Sequence, residues 1–215
     1  MIVTERKEIE EIFNSIKGYK KILVLGCNGC TAVQNVGGEK QAEELALLIK
    51  LKLGVVADFS SLLRQCEREI VAEELSNKIN EYDCILSLAC GAGVQTVAEL
   101  FDLPVLPASN TMFIGSHSRE LSILQEKCIA CGDCILALTA GICPKARCAK
   151  GLLNGPCGGQ YQGKCEVGGY TKPCAWVQIW ERLKKQGRLE IFKEFRLLAD
   201  YRKSSSPREM RWEYI

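Results

Sequence analysis

Cysteines are the residues whose number and spacing indicate chemistry in this chain. The sequence has 13 cysteines among 215 residues, and eight of them lie between positions 128 and 174, where there is no histidine. Because His117 is the only histidine, a histidine acid or a zinc site with mixed Cys and His ligands has at most one candidate residue. The composition favours sites made of thiolates alone, which bind zinc, Cu(I) or iron–sulfur clusters.

The strongest signal is the triplet Cys128, Cys131 and Cys134. Its C-x2-C-x2-C spacing is that of bacterial ferredoxins, in which a further cysteine before a proline completes a 4Fe-4S site. Cys143 precedes a proline here, but eight residues rather than three separate it from the triplet, and Cys148 is a second candidate. We predict two 4Fe-4S clusters in this region, with either Cys143 or Cys148 closing the first. The other member of that pair and three further cysteines make the second set of four: Cys157, Cys165 and Cys174.

Zinc is the competing occupant of these sites. Four-cysteine zinc sites with loops of variable length are common structural elements. The spacing therefore leaves three alternatives open: two clusters, one cluster with one zinc, or zinc alone.

Four more cysteines lie in the first half of the chain: Cys27, Cys30, Cys66 and Cys90. The elements that must position them are four short apolar runs, at residues 21–26, 54–60, 83–89 and 103–108. Stretches with helical spacing of apolar residues lie between these runs, at residues 37–52, 66–82 and 94–101. Alternating strands and helices predict an α/β fold with a Rossmann-like, open parallel sheet.

These four cysteines follow predicted strands or the loops after them. Ligands of open α/β sheets bind at the carboxyl ends of the strands, so we expect the four thiols to converge and to hold a third 4Fe-4S cluster. Cys27 and Cys30 alone also permit a thioredoxin-like redox pair. A dinucleotide site is a weaker alternative, because neither "GCNGC" nor "CGAGVQT" completes G-x-G-x-x-G. Cys84, inside a predicted strand, is interpreted as a buried core residue.

Composition changes along the chain predict three parts. Residues 1–116 form the Rossmann-like domain with the N-terminal cluster site. Residues 117–186 form a small Cys-rich domain. Its high glycine content and few apolar runs give it little hydrophobic core, so we expect bound metal to stabilise it. Residues 187–215 form a C-terminal helix and extension. An amphipathic helix is predicted from residue 174, with four large apolar residues on one face and a break at Gly187: Trp176, Ile179, Trp180 and Leu183.

Charge and hydropathy exclude several classes of partner. The formal net charge of +2 gives no reason to expect nucleic acid or an anionic membrane as partner. The first 21 residues carry charges throughout, and no segment has the ~18 apolar residues of a membrane span. We therefore expect a cytoplasmic protein, whose 13 cysteines are kept reduced rather than paired in disulfides.

The sequence "CIACGDCILALTAGICPKARCAKGLLNGPCGG", followed by "GKCEVG" and "CAWVQIWERLK", resembles the small iron–sulfur subunit of methylenetetrahydrofolate reductases of acetogenic and related anaerobic bacteria. "RQCE" and "LACGAGVQT" look like the same family, and the similarity runs from about residue 21 to residue 186. The resemblance implies that all twelve cysteines named as candidates above are cluster ligands.

The resemblance also implies partners. In that family, a larger barrel subunit holds flavin mononucleotide and binds the folate, and a ferredoxin or another redox subunit supplies electrons. The chain would then relay electrons to the partner's flavin, and none of its residues would be catalytic. Two other hypotheses remain open at this stage: a structural zinc subunit that carries no electrons, and a nucleotide-binding domain with a zinc tail.

Overall fold

The chain folds into two compact units. A computed structural model describes residues 1–211. The first unit comprises Met1–Phe113 and His117–Leu124. The second comprises Ile114–Ser116 and the chain from Gln125 onward.

The first unit contains a four-stranded sheet whose pairings are all parallel. Its strands are β2 (Lys21–Cys27), β3 (Val56–Leu62), β4 (Cys84–Ser87) and β5 (Val105–Pro107), in the order β3-β2-β4-β5. The chain runs from β2 outward to β3 and then returns to the other side of β2 for β4. The strand order therefore reverses between β2 and β4, which is where open α/β sheets bind ligands.

The helices of this unit are α1 (Ile9–Ser15), α2 (Cys30–Val33), α3 (Glu39–Leu53), α4 (Arg68–Leu75) and α5 (Gly91–Ala98). The helix predicted over residues 66–82 is shorter than expected, because its last part forms a separate 3-10 turn at Ile79–Glu81. The mixed α/β fold and its parallel sheet are confirmed.

The sheet is buried on both faces, which explains why its central strand is apolar throughout. In β2, Ile22 and Val24 pack in one core with residues of α1 and α3, whereas Leu23 and Leu25 pack in a second core with residues of α4 and α5. Successive side chains of a strand point to opposite faces. A strand covered on both sides therefore has no polar alternation.

A second sheet contains β1 (Ile2–Arg6), β6 (Ser109–Ser118) and β7 (Ile123–Cys128), in the order β1-β6-β7. The sequence analysis placed no strand in these segments. Most residues of β6 and β7 are exposed or half-buried, so they lack the apolar runs that indicate a buried strand.

The second unit has little regular structure around its cysteines. It contains α6 (Pro144–Arg147), α7 (Ala175–Lys185) and 3-10 turns at Leu136–Leu138, Leu189–Lys193 and Tyr201–Ser204. The predicted amphipathic helix is α7, and its break lies at Gly187, which has a φ of +66°. Three residues of α7 form a small core with Ala140 and Ile142: Trp176, Ile179 and Leu183.

Trp180 lies at the edge of the buried face of α7. Its side chain is 44% exposed, and its ring lies 5.1 Å from the Lys184 ammonium. The buried Trp176 ring instead donates a 3.1 Å hydrogen bond to the Leu152 carbonyl. Trp176 is therefore a core residue, whereas Trp180 presents its ring to solvent. Across residues 1–211, none of the helices has the length and hydropathy of a membrane span.

Candidate cysteine-lined metal site

Four of the candidate ligands line one cavity of about 630 Å³ at the carboxyl edge of the parallel sheet: Cys27, Cys30, Cys66 and Cys90. We call it the thiol cavity. Cys27 ends β2, Cys66 follows β3, and Cys90 follows β4. The cavity thus lies at the reversal of strand order, and the structure brings together the four thiols that the sequence analysis expected to converge there.

Hydrogen bonds from both backbone and side-chain donors fix the loop that carries Cys27 and Cys30. The Cys27 N–H donates to the Gly37 carbonyl at 2.7 Å, and the Thr31 hydroxyl donates to the Cys27 carbonyl at 3.0 Å. The Gln34 side-chain amide donates to the Cys30 carbonyl at 2.7 Å. This loop therefore has little freedom to move either thiol.

Gly37 lets this loop lie directly against the end of β4. A Cβ atom at this position would be 2.1 Å from the Leu88 carbonyl oxygen. No side chain other than hydrogen fits at that distance. The close approach places the loop of Cys30 beside the segment that leads to Cys90.

Gln65 positions Cys66 from within the core. Its side chain is completely buried, and its amide nitrogen donates to the carbonyls of Leu25 and Gly26 at 2.9 and 3.0 Å. Its amide oxygen accepts a 2.6 Å hydrogen bond from the Ser87 hydroxyl. One side chain therefore ties the loop after β3 to the ends of β2 and β4. Neither Gln65 nor Ser87 was identified from the sequence, in which nothing distinguishes them from surface polar residues.

Cys90 caps the N-terminus of α5, where its carbonyl accepts a 3.1 Å hydrogen bond from the Val94 N–H. The next amide, that of Gly91, donates to the Thr111 hydroxyl at 2.7 Å. These two hydrogen bonds hold the backbone around Cys90 at the carboxyl edge of the sheet.

The other three thiols of the cavity are close enough to influence the ionisation of Cys66. Burial raises the pKa of Cys66 above its ordinary value, and the negative charges of Cys90, Cys27 and Cys30 raise it further, against a smaller opposing effect of a backbone hydrogen bond. Like charges disfavour each other's ionised form. A bound cation removes this repulsion, so the thiol cavity suits a positively charged occupant.

The thiol cavity offers four thiols and no imidazole. Within residues 1–211, no group of three or more His, Cys, Asp or Glu side chains is arranged to hold a metal ion. Four thiolates around one zinc must each lie about 2.3 Å from it, whereas a 4Fe-4S cluster spreads its four thiolates over different irons. Both groups take four thiolate ligands.

Cys84 lies outside the thiol cavity, in the core as predicted. It is completely buried in β4 among the residues packed between α1, α3 and the sheet. Burial, with a smaller contribution from the charge of Asp83, raises its pKa to about 12. A thiol that stays protonated is a poor metal ligand.

In the second unit, residues 128–134 form the loop of the cysteine triplet, which we call the triplet loop. Ala130 and Gly132 have left-handed φ angles of 51° and 71°, and the Ala130 N–H donates to Cys128 Sγ at 3.3 Å. Alternating backbone conformations of this kind turn amides toward a common centre and are found around iron–sulfur clusters. The local backbone therefore fits a sulfur-binding loop.

A lysine contacts the central thiol of the triplet. Lys145 Nζ lies 3.6 Å from Cys131 Sγ and 2.9 Å from Asp133 Oδ2. Burial disfavours the ammonium, but the bond to Asp133 and the charges of Cys131 and Asp133 outweigh it and hold the pKa of Lys145 above its ordinary value. The same hydrogen bond holds the pKa of Asp133 below its ordinary value. The sequence analysis did not identify this ion pair.

The other candidate ligands of this unit occupy separate positions. Cys143 and Cys148 flank α6, and Cys174 caps the N-terminus of α7. Cys157 Sγ lies 3.5 Å from Glu166 Oε1, and Glu166 pairs with Lys150. Cys165 donates its backbone N–H to the Lys172 carbonyl at 2.8 Å. Among the described residues, the eight thiols are not gathered into two sets of four, so their division remains a prediction.

Fold and site together define a mixed α/β protein that presents free thiols at the reversal of its sheet and in a Cys-rich second unit. Residues 106–202 match the family described as Methylene-tetrahydrofolate reductase C terminal. The matched residues include all eight cysteines of the second unit and α7, and the predicted resemblance is confirmed for them. The searches of curated proteins and of solved structures gave no significant match.

Proposed function

We propose that this chain is the electron-transfer iron–sulfur subunit of a methylenetetrahydrofolate reductase. The observation that carries the proposal is the convergence of four cysteines on the thiol cavity, in a chain whose other half matches a methylenetetrahydrofolate reductase family. In this proposal, residues 1–116 act as a Rossmann-like support for one cluster. Residues 117–186 form a second unit that two further clusters stabilise.

The role of the chain's own residues is to hold and shield the clusters. When bound, a 4Fe-4S cluster exchanges single electrons. Cys27, Cys30, Cys66 and Cys90 would hold the first cluster, and Gln65 keeps the loop of Cys66 in place. The remaining eight candidate cysteines would hold the other two. No side chain of the chain is required to act as an acid or a base.

The folate and the flavin are assigned to a partner in this proposal. The sheets of the described residues have four and three strands, unlike the closed barrel of a (β/α)8 subunit. A flavin-containing barrel subunit would receive the electrons and carry out the two-electron reduction of the folate. A ferredoxin or another redox subunit would supply them one at a time.

Anaerobic purification tests the proposal through metal content. We expect iron and acid-labile sulfide in equal amounts and a brown protein. A colourless protein with stoichiometric zinc, or iron without sulfide, would contradict the proposal and favour a structural zinc subunit.

Two matched variants test the thiol cavity itself. Cys66→Ala should remove about one third of the iron, since one cluster of three would lose a ligand. Cys84→Ala removes a thiol of the same unit that lies outside the cavity, and its iron content should equal that of the unmodified protein. Equal iron content in both variants would exclude a cluster in the thiol cavity.

A further inference from the structure

Lys145 is a largely buried cation held against a candidate cluster ligand. Its side chain is 9% exposed, and it donates to three groups of the triplet loop: Cys131 Sγ at 3.6 Å, the Asp133 carbonyl at 3.0 Å and Asp133 Oδ2 at 2.9 Å. Lysine side chains are among the residues least often buried. The structure therefore uses two contacts with Asp133 to keep this ammonium beside the sulfur.

The pair has a fixed orientation relative to the sulfur. The ammonium is the group that contacts Cys131 Sγ, so the positive end of the Lys145–Asp133 pair points toward the thiol. Solvent screens a buried charge much less than an exposed one. Lys150 makes a comparable pair with Glu166 near Cys157, but the Lys150 side chain is 43% exposed. Solvent therefore screens the charge of Lys145 less than the charge of Lys150.

Residues 200–208, the C-terminal segment, also lie next to the triplet loop and Lys145. Lys203 lies against Gly132, where an added Cβ would be 3.0 Å from Lys203 Cβ. Arg208 donates to the Ala130 carbonyl. Asp200, Tyr201 and Ser204 line the same cavity of about 220 Å³ as Cys131 and Lys145. Residues of this segment therefore contact the triplet loop and line the cavity beside Cys131 and Lys145.

We propose that Lys145, positioned by Asp133, raises the reduction potential of the cluster that Cys131 helps to hold. The inference rests on the function proposed above. Reduction adds one negative charge to a cluster, and a fixed cation next to a ligand sulfur stabilises the reduced form more than the oxidised form. Net charge and hydrogen bonds to the sulfurs are the means by which proteins set such potentials.

The test is a redox titration of the anaerobically purified chain, followed by electron paramagnetic resonance, together with iron and sulfide analysis. In Lys145→Gln we expect unchanged iron content and one cluster that is harder to reduce. The equilibrium constant for its one-electron reduction should fall by about tenfold, which corresponds to a reduction potential lower by ~59 mV. Lys145→Arg keeps the charge and should keep the potential near that of the unmodified protein. Lys185→Gln removes an exposed lysine of the same unit and should change neither quantity.

The outcomes separate this inference from the proposed function. Equal potentials in Lys145→Gln and Lys185→Gln, with iron retained, would overturn the inference and leave the proposed function intact. Loss of iron in both Lys145 variants would also overturn it, because the lysine would then hold the loop rather than set the potential. Absence of iron from the unmodified protein would overturn the proposed function and this inference together.

Discussion

The Ser87 hydroxyl donates a 2.6 Å hydrogen bond to the side-chain oxygen of Gln65, and both side chains are completely buried. Ser87 ends β4, and Gln65 precedes Cys66. The bond therefore links the strand that leads to Cys90 with the loop that carries Cys66. Through its amide nitrogen, Gln65 also holds the end of β2, where Cys27 lies.

Replacing Gln65 by Leu should lower the free energy of unfolding by roughly 2–4 kcal/mol, since the Ser87 hydroxyl and two carbonyls would lose a buried partner. Urea denaturation of the metal-free chain measures this loss. Gln95→Leu is the matched control, because Gln95 lies on the exposed side of α5. A loss no greater than that of the control would show that the buried network contributes little.

Gly37→Ala should destabilise the first unit, because the new methyl group would lie 2.1 Å from the Leu88 carbonyl oxygen and the two loops would have to separate. The expected loss of unfolding free energy is about 3 kcal/mol or more. Thermal unfolding followed by circular dichroism measures it. Gly91→Ala should be tolerated, since its added Cβ would be 3.4 Å from the nearest atom, Thr111 Oγ1. Equal stability of the two variants would mean that the close contact at Gly37 is not maintained.

Cys84 should resist alkylation in the folded protein. Its pKa of about 12 lies above the ordinary thiol value of 9.0, so at pH 9 the folded state keeps it protonated while the unfolded state is half ionised. The folded state then binds more protons than the unfolded state, and its stability falls as the pH rises above about 9. Iodoacetamide labelling at pH 9, read by mass spectrometry with and without urea, checks this. Labelling of Cys84 at equal rates in both conditions would contradict its burial.

Removal of residues 200–215 should increase the exposure of Cys131 in the triplet loop. The segment contributes Tyr201 and Ser204 to the cavity beside Cys131. In metal-free, reduced protein we expect Cys131 to react with iodoacetamide several-fold faster after truncation, because thiol reactivity depends on access. Cys157 is already exposed and serves as the internal reference. An unchanged ratio of the two rates would mean that the segment does not cover the loop in solution.

Several features of the fold could be predicted from the sequence because they depend on local periodicity. The run "KILVLG" predicts a strand buried on both faces, and β2 is such a strand. The helical spacing in residues 37–52 predicts α3, which spans Glu39–Leu53. The position of cysteines after strands was enough to predict that Cys27, Cys30, Cys66 and Cys90 converge, since parallel strands end at one edge of a sheet.

Other features depend on contacts between residues far apart in the chain. Nothing local to Gln65 or Ser87 indicates that they would be buried and paired, since the sequence gives no sign of which strand ends lie next to each other. The same holds for Lys145, which reaches Asp133 and Cys131 only because α6 packs beside the triplet loop. Strands β6 and β7 were missed because their residues are largely exposed.

The sequence by itself determined the number and spacing of the cysteines, the alternation of strands and helices, and the match of residues 106–202 to a methylenetetrahydrofolate reductase family. These follow from residue type and spacing, which the covalent chain carries. Only the tertiary structure decided the size of the cavity that the four thiols line, how far burial raises the pKa of Cys84, and that an ammonium faces Cys131. Burial and charge at a site depend on which distant segments pack against it.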